Sequence, residues 1–95
     1  MSIADYCWAS RARGLTPPAK LVLILVADGC DQDGRYFGPF EELAEQANVT
    51  LAYLDQIVAE LTNVSMASYA LAINPSNGET LRCIQLFREG LDNGG

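Results

Sequence analysis

The chain contains no histidine. That excludes a histidine-based catalytic triad and imidazole ligation of a metal. Cysteine is scarce: Cys7, Cys30 and Cys83 lie far apart. An odd number at such spacings gives neither a disulfide framework nor a paired zinc knuckle, so reduced thiols packed in the core or at the surface are expected. The longest apolar run, Leu21 to Ala27, falls far short of the roughly 20 residues of a bilayer-spanning helix. The N-terminus lacks the basic, apolar and small segments of a secretory leader. Asn48-Val49-Thr50 and Asn63-Val64-Ser65 therefore fit the glycosylation pattern by chance. Gly29, Gly34 and Gly38 precede no Gly-Lys-Ser/Thr phosphate cradle. Asp31-Gln32-Asp33-Gly34 resembles part of a calcium loop, but the first and last ligand positions would fall on Gly29 and Phe40, which have no carboxylate. Neither an enzyme nor a cofactor nor a metal is expected.

Positive charge is also in short supply. Six Lys and Arg stand against twelve Asp and Glu, for a net charge of −6. This balance argues against a general nucleic-acid binder and suits a protein whose partner is basic.

What is present is enough for one domain with one core: 95 residues, 49% of them hydrophobic. Residues 1–14 read as an N-terminal arm, a loop or short helix that docks Trp8 and carries Arg11 and Arg13. Thr16 followed by Pro17-Pro18 predicts a capped helix from Pro17 to about Asp28 that presents Leu21, Val22, Ile24, Leu25 and Val26. Residues 28–34 form an Asp- and Gly-rich loop. Arg35-Tyr36-Phe37 fits a small strand. A second helix from Pro39 to about Ala47 has Glu41 and Glu42 where the helix dipole favours anions. Thr50 caps a third helix that runs to Leu61 or Thr62, with Leu51, Leu54, Ile57, Val58 and Leu61 at helical spacing. The period then changes to two. Residues 65–73 place Tyr69, Leu71 and Ile73 on one face, residues 80–87 read as a second strand, and Asn77-Gly78 supplies turn chemistry between them. Residues 88–95 read as a flexible tail. The expected core gathers Trp8, Leu21, Leu25, Leu43, Leu54, Val58 and Leu61.

Two short helices meeting at Ala47-Asn48-Val49-Thr50 have the layout of a helix-turn-helix pair. With the terminal hairpin, the order predicts an α+β, winged helix-turn-helix fold: three helices plus a β-hairpin wing. The detailed pattern agrees. Trp8 precedes Leu15-Thr16-Pro17-Pro18-Ala19-Lys20-Leu21-Val22-Leu23. Ala27-Asp28 and Asp33-Gly34-Arg35-Tyr36-Phe37 follow, then Leu43-Ala44-Glu45-Gln46-Ala47-Asn48-Val49-Thr50. Over Trp8 to Leu61 the chain resembles the winged-helix domains of phage-encoded replication and regulatory proteins. Glycine is common at the turn of such domains. Asn48 stands there in this chain, and Asn also tolerates a left-handed backbone.

The departures concern charge. In such domains basic residues commonly follow the capping Ser or Thr and recur in later turns. Here those positions hold Leu51, Ala52, Gln56 and Ala59, and the helix carries Asp55 and Glu60 instead. DNA affinity rests largely on cations that neutralise phosphates, so specific DNA binding is not expected. Arg11, Arg13 and Arg82 keep the alternative open, a small winged-helix transcriptional regulator that binds through its arm or wing.

Eight of the twelve acidic residues lie between Asp28 and Glu60. Asp31, Asp33, Glu41, Glu42, Glu45 and Asp55 are candidates for an acidic patch that engages a basic protein surface as phosphate would. A competing placement puts the contact on the apolar side chains Leu51, Ala52 and Tyr53. The plainest alternative is an ordinary solvated face. The resemblance implies a non-enzymatic inhibitor from a phage or mobile element, acting in the host cytoplasm on a nucleic-acid-binding complex. A CRISPR effector subunit is one such target, which would make the chain an anti-CRISPR.

Overall fold

A computed structural model describes residues 8–87, so the tail at 88–95, the first part of the arm and Cys7 lie outside the described residues. The fold is α+β. A helical turn at residues 8–10 is followed by α1 (Pro17–Gly29), β1 (Arg35–Tyr36), α2 (Phe40–Gln46), α3 (Leu51–Asn63), β2 (Ala67–Ile73) and β3 (Thr80–Leu86). The strands form one antiparallel sheet in the order β1-β3-β2. The helices and the inner part of the sheet share one buried cluster around Trp8, Leu23, Leu43, Leu54, Leu61 and Ile84.

α1 starts where the prolines predict it, with both in the first turn. The cap differs from expectation. Thr16 makes no side-chain bond to its own helix. Its Oγ1 donates to Glu60 Oε1 at 2.9 Å and its N–H to Glu60 Oε2 at 2.9 Å. A bidentate carboxylate from α3 competes successfully with the local cap, because charged acceptors make the stronger bonds.

The buried stripe of α1 is Ala19, Val22, Leu23, Val26 and Ala27. Leu21 is 41% exposed and does not join the core. Leu25 packs against the core while only partly buried. The run is apolar all round, so its period cannot select the inward side; packing against α3 and α2 does.

At the α2–α3 junction, local signals decide the geometry. Asn48 takes a left-handed conformation, φ 58°, which reverses the chain between the helices. The Val49 N–H donates to the Ala44 carbonyl at 2.9 Å and satisfies one of the orphan acceptors at the end of α2. The Tyr53 N–H donates to Thr50 Oγ1 at 3.1 Å, the cap that begins α3. Leu54, Ile57, Val58 and Leu61 then turn inward. In the last turn of α3, the Thr62 hydroxyl lies 2.8 Å from the Val58 carbonyl and 3.0 Å from the Ala67 carbonyl, which joins the helix end to the first residue of β2.

Leu54→Ala should cost about 2–5 kcal/mol, the usual range for truncating a fully buried Leu. Denaturant unfolding of the two proteins measures it. A loss below about 0.5 kcal/mol, the size of an ordinary surface change, would contradict this packing.

Candidate protein-binding face

The solvent side of α3 carries Leu51, Ala52, Tyr53, Asp55, Gln56 and Ala59, all exposed. None is a cation. Leu51 and Tyr53 are among the large hydrophobic side chains left in water. Thr50 fixes the start of the helix. Tyr53 falls away from the buried stripe, whereas Leu51, three residues before Leu54, is in phase with that stripe, yet in the first turn it stays exposed instead of joining the apolar set that its spacing predicts.

The predicted acidic patch divides into residues with structural work and residues without. Asp31 Oδ1 accepts the N–H of Asp33 at 2.9 Å and of Arg35 at 3.0 Å. It shapes its own loop, as Asp commonly does in turns. Gly34, at φ 75°, supplies the left-handed residue of that loop. Asp33 Oδ2 lies 3.6 Å from an Arg35 guanidinium nitrogen. Arg35 Nε in turn donates to Gln85 Oε1 at 3.1 Å, and Gln85 Nε2 donates to the Asp33 carbonyl at 2.8 Å. The loop is therefore tied to β3; Asp31 is engaged by backbone N–H groups, while the Asp33 carboxylate stays in solvent beside Arg35. Asp55 is engaged too: it accepts the Tyr69 hydroxyl at 2.6 Å.

Glu41, Glu42 and Glu45 are exposed and, with Pro39 and Gln46, line one open depression. Glu45 also lines a second, together with Asn48, Val49, Thr50 and Tyr53. Glu45 thus links the acidic side of α2 to the aromatic start of α3. Of the nine candidate contact residues, the structure brings Glu41, Glu42, Glu45 and Tyr53 into this neighbourhood; Leu51 and Ala52 flank Tyr53 in the first turn of α3. Asp31 and Asp33 sit in a separate loop on β3.

The cations are partitioned in a similar way. The Arg82 guanidinium carbon lies 4.3 Å from the centre of the Tyr69 ring and 5.1 Å from that of Phe40. The Phe40 and Tyr69 rings meet edge to face at 5.8 Å. Arg82 is held by aromatic faces, a favourable place for a guanidinium. Arg11, Arg13 and Lys20 line a third depression beside Gly14 and Leu15, in the segment before α1 and its first turn.

Two exposed residues do not follow from the sequence: Leu71, 75% exposed, and Ile73, 64% exposed. The alternation places them on the face of Tyr69, as observed. What the sequence lacks is any signal for how far the hairpin extends beyond the helices, and that extension decides which part of the face is covered.

Cys30 and Cys83 are buried thiols, and burial pushes the Cys83 thiol up, away from a reactive thiolate. No group of three or more potential metal ligands occurs among the described residues. No helix among them is long and apolar enough to cross a membrane. Comparison with protein families, with curated proteins and with solved structures found no match to the chain.

Burial, and then the bond to Asp55, push Tyr69 up to about 12. Its ordinary value is 10.0. A raised value means that the neutral phenol is the stabilised form. This contribution is complete below pH 10.0, the unfolded value, and is lost as pH rises through about 12. Titration followed by ultraviolet absorbance, with Tyr69→Phe identifying the late component, should show one tyrosine ionising last. Asp55→Asn should bring that component down. A Tyr69 that titrates at the ordinary value of 10.0 would contradict the contact.

Proposed function

We propose that the chain is a non-enzymatic protein-binding module on a winged helix-turn-helix frame. On this reading α2 and α3 are the helix pair, β2–β3 is the wing, and β1 pairs against it. The element order, the Asn48 turn and the sheet order β1-β3-β2 support the frame. One observation carries the functional reading. The exposed side of α3, where such a frame meets DNA, has no cation and offers Leu51, Ala52 and Tyr53, the last lining one depression with Glu45. Phosphate would be repelled there, whereas a basic protein surface with an apolar centre would be accepted.

The partner class that fits is a basic groove on a nucleic-acid-binding complex. Glu41, Glu42 and Glu45 occupy the positions of phosphates in it, and Tyr53 acts as a rigid aromatic anchor of the kind that dominates many interfaces. A phage-borne inhibitor of a host nucleic-acid complex, an anti-CRISPR among them, has this chemistry. The reading differs from a purely acidic patch: Asp31, Asp33 and Asp55 are given structural roles, and contact falls to the three glutamates and the apolar start of α3.

A second reading, a small DNA-binding regulator, draws on Arg11, Arg13 and Lys20 around their common depression. Selection of random duplexes separates the two. A regulator enriches a defined operator and binds it at about 10⁻⁸ M or tighter; the protein-binding module enriches none.

Affinity purification of the tagged chain from the cells that express it should capture a basic protein. Replacing Glu41, Glu42 and Glu45 with Lys should abolish capture while the far-ultraviolet spectrum is unchanged. The parent association should weaken steeply with salt, mainly through its on-rate, because the steering charges are screened beyond about 8 Å at 0.15 M. Tyr53→Ala should weaken it with little change in that salt dependence. Undiminished capture by the triple Lys variant would show the glutamates to be merely solvated.

A further inference from the structure

We infer that β2 is a self-pairing edge and that the protein associates with a second copy of itself through Tyr69, Leu71 and Ile73.

Among the described residues, the order β1-β3-β2 leaves β2 with one neighbour. The phase of its hydrogen bonds shows which residues face the open side. The Asn74 N–H donates to the Glu79 carbonyl at 2.7 Å, and the Phe87 N–H donates to the Met66 carbonyl at 2.9 Å. Both pairs extend the β2–β3 register, in which Ala67 faces Leu86 and Ile73 faces Thr80. In an antiparallel ladder, hydrogen-bonded and non-bonded pairs alternate. Met66 and Asn74 belong to the bonded set, so Ser68, Ala70 and Ala72 also turn their N–H and C=O groups to β3. Ala67, Tyr69, Leu71 and Ile73 turn theirs outward. The Ala67 carbonyl confirms the phase, because it receives the Thr62 hydroxyl from outside the sheet.

The outward groups of Tyr69, Leu71 and Ile73 thus form a short edge. Natural edge strands are usually blocked by a charge, a proline or a bulge. β2 reads ASYALAI, with neither a charge nor a proline, and its register runs without a bulge. Leu71 and Ile73 are the two most exposed large hydrophobic side chains of the described residues, at 75% and 64%.

A second copy fits this edge because the strand is complementary to itself. With a two-fold axis at Leu71, Leu71 meets its own counterpart and Tyr69 meets Ile73 of the other copy. All three residues have outward backbone groups, so each of the three pairs can exchange two bonds, about six in total. The side chains on the shared face form Leu–Leu and Tyr–Ile pairs, which favour antiparallel strands. The small residues Ser68, Ala70 and Ala72 occupy the opposite face. Moving the axis by one residue toward the body brings in Ala67, whose carbonyl is already bonded. Moving it the other way brings in Pro75, which has no N–H. Of these three registers, only the one centred on Leu71 pairs Tyr69, Leu71 and Ile73 solely with one another. The product is a continuous six-stranded sheet with an isologous interface. One strand pair covers far less than the roughly 1,600 Å² of a standard interface, so the dimer is weak.

Sedimentation equilibrium from low micromolar to about 1 mM, a range that reveals even millimolar association, tests the inference. Mass should rise from 10.3 kDa toward twice that value. Leu71→Lys, which leaves every bond between β2 and β3 in place, should weaken association at least tenfold while the circular dichroism stays that of the parent. In a mixed-label sample, an intermolecular contact between Leu71 and the Leu71 of the second copy should appear. Three results would overturn self-pairing: a 10.3 kDa monomer throughout, a dimer that tolerates Leu71→Lys, or edge amides at 69, 71 and 73 protected only when a different protein is added. Should Leu71→Lys unfold the hairpin, the mixed-label contact decides alone.

Discussion

The hairpin is oriented by one compact contact. Arg82 of β3 lies over the rings of Tyr69 and Phe40, and Tyr69 donates its hydroxyl to Asp55. Phe40 opens α2, Asp55 lies on α3 and Tyr69 on β2, so a single cluster joins both helices of the pair to both strands of the hairpin. Its energies are modest: about 0.5–2 kcal/mol for a cation over an aromatic face and about 1.5–3 for a hydrogen bond to a charged group. The apolar cluster around Leu23, Leu54 and Ile84 supplies most of the driving force for folding. The arginine contact adds direction: it ties the hairpin to the helix pair, beside the pairing of β1 with β3 and the bond from Thr62 to Ala67.

That contact has a consequence for the surface. It takes the hairpin's arginine and a carboxylate of α3 at once, and assigns each to the other's neighbourhood. In a similar way Asp31 and Arg35 are engaged by the loop that docks on Gln85, and Glu60 by Thr16. On the proposed reading, the surface offered to a partner is smaller and more mixed than the net charge implies: three glutamates on α2, an aromatic and a leucine on α3, and an uncharged strand edge.

The parts of this arrangement written in local chemistry can be read from the sequence. Thr50 caps because its hydroxyl needs only an amide three residues on. Asn48 turns the chain because few other side chains tolerate a left-handed backbone. The change of period after Asn63 marks the hairpin. Long-range choices are a different matter. Thr16 has the credentials of a cap and gives them up to a carboxylate 44 residues away. Leu21 and Val22 are equivalent in an all-apolar run until α3 packs on one side. Asp31 and Glu41 are both acidic and both near the helix pair, and only the path of the loop separates a turn former from a surface charge. The exposed pair Leu71 and Ile73 follows the strand period faithfully. Their exposure depends on hairpin length relative to the helices, which no pattern of side chains encodes.

The proposed function rests on protein recognition, in place of DNA binding, through the face of α3. A nuclear magnetic resonance titration with a mixed-sequence DNA duplex at near-physiological salt tests this most directly, because every amide reports separately. The account predicts that the amides of Leu51–Asn63 and of the β2–β3 loop keep their shifts at saturating duplex, with at most weak, salt-sensitive changes near Arg11, Arg13 and Lys20. Saturable shifts concentrated in α3 and the hairpin tip would contradict it.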